Sequence, residues 1–460
     1  MQTTFPSVAS TSDVIAELIC QYEETGTEIA VDFRELVPGI ANPDRATHLI
    51  HPYPAKLLLH IPIFFLANDY LSKPGDTIVD PFCGSGTVLL ESILMSRNAV
   101  GADINPLAAL ISRVKTSPVD AATLTTAYEC AMDNCPSAPT TEAPDVVNID
   151  YWFGPAIRDQ LMCLLEGIRC LEDERVREFF LLCFSNCVRR VSYADPRVSV
   201  PVRLRRGQYP VGHKLREKTD RRIDELADVD VKAQFAGVVR ENMRRMRALA
   251  EITDWGSSAV VLNRDVRDLV AGTFEAGDGI NSIRPESAQL IITSPPYAGS
   301  QKYMRSSSLQ LGWLGLCRTS EVRQYESCII GRDHYRKSEY IEPCVTGLPG
   351  ADRVIDDVRK GNALRAHIAA IYLKEMGHAF RSIVRALSPG GHLVLVVGNN
   401  HVCGREFDSR RFLSTVLCEL GMKLRLALAD NIRSRGLMTK RNKTADMIAK
   451  EYVLLFQKPQ

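Results

Sequence analysis

Both ends of the chain alternate short apolar runs with stretches of helical spacing, while the middle is helical in period. Near the front, "DTIVD" (76–80) and "NAVGADI" (98–104) are apolar runs that reach a carboxylate. "TVLLESILMS" between them repeats its apolar residues as a helix does. Strand, glycine turn, helix, strand in that order predicts a parallel sheet. The same logic returns late in the chain in "SAVVLNRD" (258–265), "AQLIITSPPY" (288–297), "GGHLVLVVGNN" (390–400), "KLRLALADN" (423–431) and "EYVLLFQK" (451–458). Between these blocks "SAPTTEAPD" reads as a linker. "IRDQLMCLLEGIRCL" and "VREFFLLCFSNCVRRV" read as helices, and a long charged helix is expected around Asp228–Ile252. The pattern therefore predicts an α/β protein with helices on both faces of its sheet. Residues 48–115 and 256–460 would form the sheet domain, and 116–255 a mostly helical insertion. Residues 1–47 would form an N-terminal arm with one short helix around Val14–Glu24. The stretch Cys317–Asp357 has no clear period and is expected as a large loop or lobe on the sheet's rim.

Composition narrows the setting without changing the fold. At 460 residues, the chain has length for roughly three domains. No apolar run is long and clean enough to span a bilayer, and the first residues lack the pattern of a secretory signal. The 13 cysteines are scattered, with no CxxC pair and no Cys/His cluster at zinc spacing. Dispersed thiols of this kind lead us to expect a cytoplasmic protein without disulfides or a bound metal. Cys183 and Cys187, one helical turn apart, are expected as core. A formal net charge of +1 means that any polyanion must be held by local patches.

The first chemical signal is "DPFCGSGT", Asp80–Thr87. A strand that ends in an acid and turns through Gly84 and Gly86 into a helix brings backbone amides close to a ligand, where a Cβ would obstruct. The third glycine of a dinucleotide fingerprint is absent, so a pyrophosphate is not implied. Asp103 closes the next strand, where an acid can accept hydrogen bonds from both hydroxyls of a ribose. Asp265, after "SAVVLN", is placed to meet an adenine amino group. The second signal is Ser294–Tyr297, "SPPY". Two consecutive prolines fix the backbone and hold the Ser294 hydroxyl and the Pro295 carbonyl as acceptors for a planar amine, with Tyr297 as a stacking face.

"DPFCGSGT" followed later by "TSPPY" resembles the amino-methyltransferases, S-adenosylmethionine-dependent enzymes that methylate N4 of cytosine or N6 of adenine in DNA. "HPYPAK" (51–56), "YMRSSSLQLGWLG" (303–315), "ALSPGGHLVLVVGNN" (386–400) and the closing hairpin from about 423 to 458 resemble the family as well. The resemblance implies a Rossmann-like methyltransferase sheet and S-adenosyl-L-methionine as cofactor. It assigns Tyr53, Lys56, Asp80, Pro81, Phe82, Gly84, Gly86, Thr87, Asp103, Asn105 and Asp265 to cofactor binding. Ser294, Pro295, Pro296 and Tyr297 become the catalytic clamp on a flipped base. Serine in the first position leans towards cytosine N4, whereas adenine enzymes of the family more often carry Asp or Asn. Transfer is direct and needs no covalent intermediate, so Pro343–Cys344 is read as a coincidental match to carbon-5 chemistry.

A target base must be found through groove and phosphate contacts. The densest basic stretch lies in the insertion, where Arg203, Arg205 and Arg206 sit among Arg189, Arg190, Arg197, Lys214, Arg216 and Lys218. A second cluster contains Arg433, Arg435, Lys440, Arg441 and Lys443, and the lobe with Arg332, His334, Tyr335, Arg336 and Lys337 competes with both. DNA is the expected partner, and a restriction endonuclease acting on the same site would be a functional one. The alternatives are adenine-N6 methylation, an RNA guanine-N2 methyltransferase with the same motif order, and a non-catalytic DNA-binding scaffold.

Overall fold

The computed structural model describes residues 9–40, 44–54, 56–253, 256–270, 283–297, 303–432 and 450–460. Ten strands are present among them: β1 (Ile29–Val31), β2 (Thr77–Asp80), β3 (Asn98–Ala102), β4 (Ala259–Leu262), β5 (Ala288–Thr293), β6 (Leu387–Val397), β7 (Asn400–Val402), β8 (Arg405–Phe407), β9 (Lys423–Asn431) and β10 (Lys450–Gln457). Eight form one sheet in the order β1-β9-β10-β6-β5-β2-β3-β4, and β7 and β8 form a separate hairpin. β10 runs antiparallel to β6 and β9, and every other pairing in the sheet is parallel. This is a mixed α/β fold with a central sheet and flanking helices.

The central strands are apolar throughout because both faces are covered. Along β6, Leu393, Leu395 and Val397 enter one core with Val79 and Ile291, while Val394 and Val396 enter another with Ile78, Leu290 and Ile292. The second core also takes Ile15, Leu18, Ile19 and Phe33. The N-terminal segment is thus more than an arm. Its helix Ser12–Thr25 covers a sheet face, and β1 pairs with β9 at the edge. Three residues are too short a run to announce a strand by alternation.

The insertion has its own core, built on the helices Pro155–Arg169, Glu174–Val191 and Val231–Ile252. Cys183 and Cys187 are fully buried in it. That core is continuous with the sheet domain through Leu107, Ile111, Met304 and Trp313. The lobe is more ordered than its sequence suggested: helices span Val322–Cys328 and Pro349–Gly361. Ala351, Ile355 and Val358 lie buried on one face of the second helix, a helical repeat short enough to be overlooked.

Strand order reverses at β2. The chain proceeds from β2 to β3 and β4 on one side, and β5 and β6 lie on the other. Open α/β sheets form a crevice beyond the carboxyl ends of the strands at such a switch point.

Candidate active site

The switch point joins the two motifs. The Thr293 hydroxyl, at the end of β5, donates to Asp80 Oδ1 at the end of β2 across 2.7 Å. The same oxygen accepts from the Phe82 amide at 3.2 Å. Asp80 is buried, and burial pushes its carboxyl up to about 7, against the opposing pull of those two hydrogen bonds. Ser294–Tyr297 therefore leaves the sheet directly beside the glycine turn.

Gly84 and Gly86 both take positive φ, +50° and +71°. A Cβ on Gly86 would lie 2.8 Å from Ser112 Oγ and 3.1 Å from Ser112 Cα, so helix Pro106–Thr116 could not pack against the turn. The Gly84 amide donates to Asp103 Oδ2 at 3.0 Å, and the Asn105 amide to Asp103 Oδ1 at 2.8 Å. Burial raises the Asp103 carboxyl to about 6, against both of these bonds. Asn105 also caps helix Pro106–Thr116, accepting from the Leu107 amide, with proline in the helix's first turn. Its amide nitrogen donates to the Tyr53 hydroxyl at 3.2 Å. One residue thus ties the acid, the helix and the "HPYPAK" aromatic together.

These groups surround a cavity with about 700 Å³ of empty space, part of it open to solvent. Of the expected residues, Tyr53, Pro81, Phe82, Gly84, Asp103, Asn105, Asp265, Ser294 and Pro296 line it. Asp80, Gly86, Thr87, Pro295 and Tyr297 are outside that lining. The Tyr297 hydroxyl donates to Glu451 Oε1 at 3.3 Å, which connects the clamp to β10. Ile104, Arg264, Val266, Tyr303, Cys328, Ile329 and Ile330 complete the wall. Only Tyr303 carried a signal, as part of the family-like stretch after SPPY. Cys328–Ile330 come from the lobe, where no local pattern marks them.

Two expected residues are engaged elsewhere. Lys56 does not line the cavity; its ammonium donates to the His48 and His51 carbonyls at 3.1 and 2.9 Å, and burial lowers it to about 8. Asp265 does line it, but both of its carboxylate oxygens are held by the Arg267 guanidinium. Arg267 also donates to the Cys328 carbonyl at 2.6 Å.

Insertion residues fasten the "HPYPAK" segment. Asn186 and Asn242 donate to the Ile50 carbonyl at 2.9 and 3.1 Å. Burial lowers His51 to about 3, so it is neutral. Its Nδ1–H faces the Pro52 carbonyl at 2.7 Å, which leaves Nε2 to accept from the Ser185 hydroxyl at 2.9 Å.

Of the basic residues predicted to meet DNA, Arg203 lies over the Tyr151 and Tyr193 rings, 4.5 and 4.9 Å from their centroids. Arg205 donates to the Tyr151 hydroxyl at 3.3 Å, and Arg206 pairs with Asp224. Arg433 and Arg435, with Lys440, Arg441 and Lys443, lie outside the described residues.

Residues 68–113, spanning the glycine turn and Asp103, match the sequence model of a family described as DNA methylase. The Type II methyltransferase M.MvaI of Kocuria varians is 23% identical over 381 residues, 78% of each chain. M.BsoBI of Geobacillus stearothermophilus, also a Type II methyltransferase, is 23% identical over 85% of this chain and 81% of its own. M.MjaII of Methanocaldococcus jannaschii is 41% identical over 73 residues, 16% of this chain and 13% of its own. The matches support the DNA methyltransferase superfamily and single out no member. Among solved structures, the rRNA methyltransferase aviRa of Streptomyces viridochromogenes aligns over 93% of this chain and 96% of its own at 11% identity, with a TM-score of 0.31, too low to carry weight.

The residues present fit an adenosyl cofactor. The Asp103 carboxylate uses one lone pair of each oxygen on backbone amides and keeps the others at the cavity face for a diol. Phe82, Pro81, Ile104 and Val266 supply apolar walls for a purine.

Proposed function

We propose that this chain is a DNA amino-methyltransferase that moves a methyl group from S-adenosyl-L-methionine to N4 of cytosine within a specific sequence. The observation that carries the reading is the buried Thr293–Asp80 hydrogen bond, which sets Ser294 and Pro296 in the wall of the cavity that Gly84 and Asp103 also line. When bound, the cofactor supplies an electrophilic sulfonium methyl. Tyr53, Gly84, Asp103 and Asn105 would hold it, with Asp103 accepting from the ribose hydroxyls.

The protein's part is positioning. A cytosine amine is a poor nucleophile because its lone pair is delocalised into the ring. Hydrogen bonds accepted by Ser294 Oγ and the Pro295 carbonyl would favour a pyramidal nitrogen, and the Tyr297 ring would orient the base by stacking. Orientation and aligned dipoles then supply most of the acceleration. The proton lost from nitrogen passes to solvent or to a nearby acceptor after transfer. The natural setting of this reading is the cytoplasm, in restriction–modification or epigenetic marking, where a restriction endonuclease would share the site.

The test is mass spectrometry of nucleosides from DNA and RNA incubated with the protein and methyl-labelled S-adenosylmethionine. Label in N4-methylcytosine from DNA is expected. Label in N6-methyladenine overturns the base assignment and keeps the chemistry; label confined to RNA overturns the DNA reading.

A further inference from the structure

The cavity opens towards a second, larger depression on the lobe. This groove has about 1710 Å³ of empty space, open to solvent, and shares Tyr303 and Ile329 with the cavity. Its wall carries Arg305, Arg323, Arg332 and Arg336. Arg305 and Arg332 are fixed by ion pairs, to Glu326 at 2.9 Å and to Glu339 at 3.1 Å, and Arg332 also lies 4.0 Å from the centroid of the Tyr335 ring. Arg323 and Arg336 are exposed, and their guanidiniums make no ion pair among the described residues, although the Arg336 backbone amide donates to Glu339 Oε2 at 2.6 Å.

A base taken into the cavity leaves its own phosphates outside, at the rim, because the sugar spans only a few ångströms. Cations at that rim are therefore the ones in reach of the backbone flanking the target. Three of the insertion's arginines are placed and employed differently. Arg197 donates to both oxygens of Asp195 at 2.8 and 2.7 Å, Arg206 pairs with Asp224, and Arg203 covers two tyrosine rings. None of these three lines the cavity or the groove.

We propose that the lobe groove, through Arg323 and Arg336, receives the DNA backbone beside the flipped base, while Arg197, Arg203 and Arg206 of the insertion serve its own fold. The proposal rests on the DNA-methyltransferase reading above and names the surface that meets the substrate. Tyr303 and Ile329 form the threshold between the backbone groove and the reacting cavity.

The test is equilibrium binding of a fluorescent duplex of mixed sequence, followed by anisotropy over a range of salt concentrations, since phosphate contacts act at any site. The parent protein is compared with an Arg323→Ala/Arg336→Ala variant and with the rival Arg205→Ala/Lys214→Ala variant. Two lost phosphate contacts should lower the salt slope by about 1.8 and the affinity in 0.1 M salt by about 60-fold. Cofactor affinity, measured separately by calorimetry, should not change. An unaltered slope in the groove variant, with a reduced one in the rival variant, overturns the groove and leaves the DNA reading intact. Absence of duplex binding by the parent overturns both. A loss seen only with an RNA hairpin of equal charge assigns the groove to RNA and overturns the proposal.

Discussion

Replacing Asp80 by asparagine should make the protein relatively more stable at high pH, by an amount that its surroundings set. The side chain is buried, and its carboxyl is pushed up to about 7 from 3.8, chiefly by burial. Between those values the folded state holds a proton that the unfolded chain has released, so this group's contribution makes stability fall as pH rises. The whole gap corresponds to about 4 kcal/mol above pH 7, of which about 2–3 kcal/mol develops between pH 5 and pH 8. Asparagine is close to isosteric, and its side-chain oxygen can still accept from the Thr293 hydroxyl and the Phe82 amide, so the turn should keep its shape. His51 and His392, lowered by burial to about 3 and about 4, move stability in the opposite direction with pH. Their effect is common to both proteins and cancels in the difference. The assay is urea unfolding of Asp80→Asn and the parent at pH 5 and pH 8. The stability difference should shift in the variant's favour by about 2–3 kcal/mol on going from the lower to the higher pH. A difference that is the same at both pH values would refute the placement of an ionisable carboxyl in a buried switch point.

Three further outcomes follow from the site. Ser294→Ala should lower the turnover number by about 10²–10³-fold, as loss of one oriented polar group does elsewhere, with cofactor affinity unchanged by calorimetry; Tyr297→Ala should behave alike, and near-normal turnover in both would sink the clamp. Because burial holds Asp103 at about 6, its carboxylate fraction falls by about tenfold between pH 8 and pH 5, and S-adenosylmethionine affinity should fall with it. Asp103→Asn should bind weakly with no such dependence, and a flat profile in the parent would count against a ribose contact. Asn242→Ala should leave the Ile50 carbonyl with Asn186 alone, cost about 1–3 kcal/mol in thermal or urea unfolding, and raise the cofactor's dissociation constant by loosening Tyr53; unchanged cofactor binding would show that the insertion does not tension the "HPYPAK" segment.

Much of the architecture was legible because strands and helices write their own periods. The expected strands at 76–80, 98–104, 258–265, 288–297, 390–400, 423–431 and 451–458 all overlap observed ones, and the glycine turn could be read from Gly84 and Gly86 alone. The misses were elements that are too short for a period, such as β1 and the β7–β8 hairpin, or hidden in a polar stretch, such as helix Pro349–Gly361.

Side-chain partners were a different matter, because they are chosen by packing between segments far apart in the chain. Nothing local marks Thr293 as the donor to Asp80, a bond that forms because β5 pairs with β2 and so brings "SPPY" to the glycine turn. Asp265 and Lys56 stand in motif-like positions, yet one is engaged by Arg267 and the other by two carbonyls. Arg203, Arg205 and Arg206, dense in the sequence, are engaged by tyrosines and an acid of the insertion itself, whereas a lobe without period supplies cavity wall and arginine groove together. The sequence by itself determined which residue types and backbone turns this protein has, since those depend on neighbours in the chain. Which of them meet, and which remain available to a ligand, was decided only when the sheet order placed β5 beside β2.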